Sequence, residues 1–233
     1  MLDLLLPQRC LGCSRPGAQL CDSCRAALPR LRAPLCDRCG APTAWPVARC
    51  RECAGRRLAF ASARAAVAYE GAARSLATSW KERGLRRLAV LAADLVAETV
   101  PRPAAAALVF VPPDGDRSLR RGHDPPAQLA RELGERWELP VLAALGRARP
   151  VARQRGLGLA ERRRNVAGAF AARARVPPRV VLVDDVYTSG STAAAAAGAL
   201  RRAGARRVEV VTFARAIRYP QSSEARGLPC DFR

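Results

Sequence analysis

Lysine is almost missing from this chain. Of its 40 basic residues one is a lysine, Lys81, and the other 39 are arginines. A bias of that kind usually reflects genome composition, yet it leaves a strongly basic surface. Aromatic residues make up only 5% of the sequence, so the core has to be built from Ala, Val and Leu. There is one histidine, His123, so a Ser-His or Cys-His nucleophile system has no other to use. Acids number 20 against 40 bases, a formal charge of +20. That balance favours anionic partners such as phosphorylated metabolites, nucleic acid or acidic proteins. No apolar stretch reaches about 18 residues, so membrane insertion is not expected. The opening "MLDLLLPQRC" has no basic segment ahead of its apolar run, is broken by Asp3 and lacks an A-x-A site. It reads as mature sequence, and a cytoplasmic location is the expectation.

Cysteine is abundant, and it is concentrated. Eight of nine cysteines fall before residue 54 in four C-x-x-C pairs: Cys10/Cys13, Cys21/Cys24, Cys36/Cys39 and Cys50/Cys53. Each C-x-x-C turn aims two thiolates at one point, and two turns complete a tetrahedral Zn²⁺ shell. With gaps of 7, 11 and 10 residues between pairs, successive pairing is the simplest assignment. Pairs one and two then hold one structural zinc, and pairs three and four a second. A disulfide scaffold is the competing reading, but no secretory leader accompanies it. Redox C-x-x-C chemistry would need a thioredoxin-like unit that the pattern lacks. Eight thiolates and two Zn²⁺ together remove four charges, bringing +20 to about +16. Residues 1–57 carry ten arginines and four acids, about +2 once zinc is bound. The positive field therefore belongs mostly to residues 58–233. Cys230 is a lone thiol in a polar tail.

The 233 residues suit one ordinary domain plus a small one. The expected division is a double zinc ribbon at 1–57, an α/β domain at 58–218 and a tail at 219–233. In the α/β part, residues 62–71 read as strand and turn. Helical patterns follow at 72–84, closed by Gly84, and at 85–100, closed by Pro101. Residues 107–112 ("ALVFVP") are a continuous apolar run, as expected of a strand buried on both faces. Asp124 and Pro125 start a helix as N-cap and first helical residue, running to 137. Strands at 179–185 and 207–215 flank a helix at 192–204. Strands alternating with helices predict a parallel α/β sheet, whose ligands sit beyond the C-terminal strand ends.

One stretch there carries chemistry: "VVLVDDVYTSGST", residues 180–192. A buried strand delivers Asp184 and Asp185, and a turn with Gly190 opens a helix. Successive N–H groups at a helix start attract an anion, and Thr188, Ser189, Ser191 and Thr192 add hydroxyls. The spacing is neither a Walker A loop nor G-x-G-x-x-G. Carboxylates cannot usefully accept from phosphate, but they accept from sugar hydroxyls or help hold Mg²⁺, often through water. A ribose beside a terminal phosphate satisfies both halves.

This stretch resembles the 5-phosphoribosyl 1-pyrophosphate (PRPP) motif of type I phosphoribosyltransferases. With the cysteine pairs, "LDLLLPQRC", "WKERG", "VPPDGDRSLRRG" and "QRGLGLAERRRNVAGAF", the chain is similar over about residues 2–215 to the ComF family of competence-related proteins. That resemblance implies a type I phosphoribosyltransferase-like parallel sheet behind the ribbon, and a link to DNA uptake in natural transformation or to DNA and nucleoside metabolism. It places Asp184 and Asp185 on the ribose and Val186, Tyr187, Thr188, Ser189, Gly190, Ser191 and Thr192 around the 5′-phosphate, with Mg²⁺ accompanying PRPP. Lys81, Arg117, Arg120 and Arg121 are its pyrophosphate candidates. Where the family typically reads Arg-Gly-Phe-Asn-Gln, this chain has Arg121-Gly122-His123-Asp124-Pro125. The departure bears on transfer to an acceptor, not on the PRPP cradle. Asp124 reads there as a helix cap and His123 as a loop-packing residue. Residues 147–175 hold nine arginines and one acid, Glu161, in a region that the family uses as a loop closing over ligand. Two functions follow from the resemblance: PRPP-dependent phosphoribosyl transfer, and non-catalytic binding of single-stranded DNA as an adaptor for a competence helicase.

Overall fold

The computed structural model describes residues 8–113, 122–148 and 168–218. A short helix, α1 (Asp22–Ala26), lies in the cysteine-rich segment. The rest runs β1 (Ser62–Ala68), α2 (Gly71–Arg83), α3 (Leu88–Thr99), β2 (Ala107–Phe110), α4 (Pro125–Trp137), β3 (Val141–Leu142), β4 (Leu145–Arg147), β5 (Phe170–Ala172), β6 (Arg179–Tyr187), α5 (Ser191–Arg202) and β7 (Arg207–Arg215). Five strands form one sheet in the order β1-β7-β6-β2-β3, every pair parallel. The α/β class and parallel sheet read from the sequence are present. β4 and β5 form a separate antiparallel pair, which the sequence pattern did not reveal because each is three residues long.

Local chemistry sets the helix ends. Gly84 closes α2 with φ +69°, the left-handed conformation that favours glycine. The break runs to Arg87, so α3 starts at Leu88 and not at Leu85 as its periodicity suggested. Asp124 caps α4, its carboxylate accepting from Ala127 N at 3.3 Å with Pro125 following. β6 is fully apolar at its start. Val180 and Leu182 join a core cluster on one side of the sheet, and Val181 and Val183 join the other. Beyond Asp184 this alternation inverts, Val186 joining the second cluster and Tyr187 the first.

The first cluster contains Cys36, Cys39 and Cys53 together with the α5 alanines. The second half of the cysteine-rich segment is therefore part of the main core. The approach is close: Gly40 has φ +68°, and a Cβ there would lie 2.3 Å from Ala63 O of β1. Between the two cysteine groups the chain runs beside β1. Leu31 N donates to Ala66 O (2.9 Å), and Ala68 N donates to Pro29 O (2.8 Å). This covers an edge strand that would otherwise expose unpaired donors. Among the described residues no helix is long and apolar enough to cross a membrane.

Candidate functional site

The cysteines gather as their spacing requires, into Cys10/Cys13/Cys21/Cys24 and Cys36/Cys39/Cys50/Cys53, each with its four Sγ atoms within 4.8 Å of one another. Sγ–Sγ separations are 3.7 Å for Cys10–Cys21 and Cys13–Cys21, 3.6 Å for Cys36–Cys53 and 3.5 Å for Cys39–Cys50. Zn–S bonds of about 2.3 Å in a tetrahedron set an S–S edge of about 3.8 Å. The donor set thus fits zinc. Backbone amides support the sulfurs: Gly12 N and Cys21 N donate to Cys10 Sγ (3.4 Å each), and Cys50 N to Cys36 Sγ (3.3 Å). Four cysteines fill each shell, which leaves no open position for a catalytic water.

The acid pair lies inside β6, not beyond it. Asp184 pairs with Thr212 of β7, but on the other side β2 ends at Phe110, opposite Val183. The two acids therefore project past the end of one neighbouring strand, into the crevice where α/β sheets bind ligands. Each folds back on the chain: Asp184 Oδ1 accepts from Asp185 N (2.9 Å), and Asp185 Oδ1 accepts from Val186 N (2.7 Å). Lys81, near the end of α2, places Nζ 2.5 Å from Asp185 Oδ2. Asp185 is buried and Asp184 half-buried. Burial, and then the adjacent Asp185 charge, push Asp184 up to about 8, with Lys81 working against them. Asp124 is pushed up too, by burial and by the Asp185 charge against the Ala127 amide. The residue that departs from the family pattern therefore belongs electrostatically to the acid pair.

The turn after β6 leads straight into a helix start. Gly190 is the N-cap of α5 with φ +70°, and no side chain caps the helix. Gly190 itself has no side chain to accept from the N–H groups of the first turn, the kind of helix start at which anions bind. A Cβ at Gly190 would lie 2.2 Å from Tyr187 Oη. The hydroxyls divide into two kinds. Ser189 and Ser191 are buried and bonded to each other, Oγ to Oγ at 2.9 Å, with Ser191 N donating to Ser189 Oγ. Thr188 and Thr192 keep partial exposure. Tyr187 is buried beneath the loop, edge-on to Phe60, and burial pushes its phenol up to about 12.

Of the other sequence candidates, Arg117, Arg120 and Arg121 lie outside the described residues, as does most of the arginine-rich tract. Arg147, its first member, is structural: it stacks over Phe170 at 4.5 Å and donates to Pro112 O at 3.2 Å. His123 is buried, with Nε2 2.7 Å from Trp80 O, a packing role. Sequence reasoning missed Arg56, Arg215 and its partner Glu52. Arg56 donates to Ser189 O at 2.6 Å. Arg215, 1% exposed, donates to Cys39 O and to Glu52 Oε2. Burial opposes the Arg215 charge, but Glu52, Cys39 and Tyr187 together outweigh it, and the pKa is raised. A buried arginine at a strand end was the available signal, but among 39 arginines it does not stand out.

Comparison with known proteins agrees with this architecture. Residues 1–54 match the family model of the double zinc ribbon domain. The chain is 34% identical to Competence protein F of Haemophilus influenzae over 142 residues, 59% of this chain and 62% of that protein. It thus spans less than two thirds of that relative's length. Its match to DNA utilization protein YhgH of Salmonella typhimurium is 30% identical over 232 residues, 92% of this chain and the whole of that protein. Among solved structures it is similar to orotate phosphoribosyltransferase from Aeropyrum pernix (24% identity, 62% of this chain, 66% of that chain, TM-score 0.35). It is also similar to the protein TT1426 from Thermus thermophilus (18% identity, 60% of this chain, 86% of that chain, TM-score 0.32). With a full-length relative at that identity, a double zinc ribbon ahead and a five-stranded parallel sheet behind, this chain belongs to the ComF family, with Competence protein F and DNA utilization protein YhgH.

Proposed function

We propose that the chain binds PRPP at the end of β6, as a phosphoribosyltransferase-like protein of DNA uptake or DNA metabolism. The observation that carries this reading is the junction of an acid pair, Asp185 buried and Asp184 half-buried, with a glycine-opened helix start a few residues on. Asp184 and Asp185 accept from the ribose hydroxyls, and the N–H groups after Gly190, with Thr188 and Thr192, take the 5′-phosphate. Lys81 sits beside the acids and serves the diphosphate when it leaves Asp185. Mg²⁺ supplies charge neutralisation on the diphosphate oxygens. Asp184 and Asp185 would hold it only together with the ligand, since the Lys81 ammonium itself contacts Asp185. In transfer, an acceptor's lone pair forms the new bond at C1 while the C1–O bond breaks. Its electrons leave with pyrophosphate, and the protein contributes position and positive charge. Titration calorimetry with PRPP and Mg²⁺ tests the reading against Asp185→Asn. Equal weak heats from both proteins would sink it.

A second reading, single-stranded DNA binding as an adaptor for competence machinery, draws on the names of the relatives and on Trp45. Trp45 is 68% exposed in the second ribbon, with Arg49 and Arg51 close by in sequence. An exposed indole among arginines is a stacking platform for a base. Gel shifts across a salt series, with Trp45→Ala alongside, separate stacking from charge attraction. Binding that vanishes at physiological salt and ignores Trp45→Ala rejects the second reading.

A further inference from the structure

The second cysteine cluster lies directly under the phosphate loop. Arg56 follows Cys53 closely, and its backbone N donates to Cys53 O at 3.2 Å. Its side chain crosses to the loop, where Nη2 meets Ser189 O at 2.6 Å. A second tie runs beside it. Arg215, at the end of β7, bonds Cys39 O and Glu52, and its guanidinium lies 4.8 Å from the Tyr187 ring centroid. Tyr187 in turn underlies Gly190. Loop and cluster therefore share one buried network.

The Arg56 bond has a directional consequence. A trans peptide is planar, with its C=O and N–H on opposite sides. Drawing the Ser189 carbonyl down to Arg56 turns the Gly190 N–H the other way. We infer that Arg56 is a positioning residue: it ties the second zinc cluster to the phosphate loop and holds the Gly190 amide toward a bound phosphate. The zinc ribbon then sets the shape of the ligand site as well as stabilising the fold. This inference rests on the anion-binding reading of that loop. The tie itself is testable without any ligand.

The test compares the full zinc-loaded chain with Arg56→Ala, Arg56→Lys and a control, Arg64→Ala. Arg64 also bonds ribbon carbonyls, those of Cys36 and Asp37, and among the described residues it makes no bond to the loop. Zinc content, amide hydrogen exchange over residues 186–193 and PRPP–Mg²⁺ calorimetry are read together. Arg56→Ala is expected to keep two zinc ions per chain. Its loop exchange rises about tenfold and its PRPP affinity falls about tenfold, the worth of one charge-assisted hydrogen bond. Arg56→Lys recovers part of both, and Arg64→Ala changes neither. Unchanged loop exchange in Arg56→Ala overturns the tie whatever PRPP does. Faster exchange with no PRPP binding even by the wild type leaves the tie standing and rejects the PRPP reading. Faster exchange with wild-type PRPP affinity retains the mechanical tie but overturns the positioning role.

Discussion

Gly190→Ala puts a methyl group where the loop has no room for one. The first cost is conformational. Gly190 has φ +70°, and a Cβ in the left-handed region costs about 1–2 kcal/mol. The second is steric. The new Cβ would lie 2.2 Å from Tyr187 Oη and 2.5 Å from its Cζ. Tyr187 is a poor candidate to yield, because Phe60 meets its ring edge-on and Arg215 lies over it. Overpacking of that kind costs about 1–3 kcal/mol, so the total is about 2–5 kcal/mol. Gly55 separates the two terms. Its φ is +66°, and a Cβ there would meet nothing within 4 Å, so Gly55→Ala carries the conformational cost alone. Denaturant unfolding of both variants, with zinc held constant, gives the steric term as the difference. Gly190→Ala is expected to be the less stable by about 1–3 kcal/mol and to lose PRPP binding. Equal losses in the two variants would refute the claim that Tyr187 rigidly underlies the loop.

Three other outcomes follow from the site. Asp184 has a folded pKa raised to about 8 from 3.8, so the folded state holds that proton more tightly than the unfolded chain. The resulting stability is complete below about pH 4 and is lost as pH rises through about 8; Asp184→Asn flattens that slope in pH-dependent unfolding. Because the ribose needs a carboxylate acceptor, PRPP affinity rises over the same upper range, and calorimetry in buffers of different ionisation enthalpy detects a released proton. Lys81→Ala strips the partner from a buried carboxylate and lowers stability by about 1–3 kcal/mol, read from denaturant midpoints. Lys81→Arg does not restore PRPP affinity, since a planar guanidinium replaces a compact ammonium. Zinc removal by a strong chelator releases two ions per chain and costs the α/β domain stability as well as the ribbon, because Cys36, Cys39 and Cys53 sit in the main core. Scanning calorimetry that shows an unaffected main transition contradicts that coupling.

Much of the site was legible because its signals are local. A C-x-x-C turn converges two thiolates by its own backbone geometry, and both four-cysteine groups formed in successive order. The acid pair, glycine turn and helix start lie within nine residues of sequence, so strand direction and one left-handed glycine suffice to shape them. Asp124 capped its helix for the same reason. The short β3, β4 and β5 strands lacked the length to show a period.

What the sequence by itself determined, then, is the two metal shells and the local course of strand, turn and helix at each half of the candidate site. What only the tertiary structure decided is how they meet. Lys81 reaches Asp185 because α2 packs against β7, the strand beside β6. Arg56 reaches Ser189 across 133 residues and Arg215 reaches Cys39 across 176. Such pairings depend on the strand order β1-β7-β6-β2-β3, which brings the second ribbon under the loop. An arginine has no local pattern that announces a partner so far away, and in a chain with 39 of them only the folded packing selects which few are buried and bound.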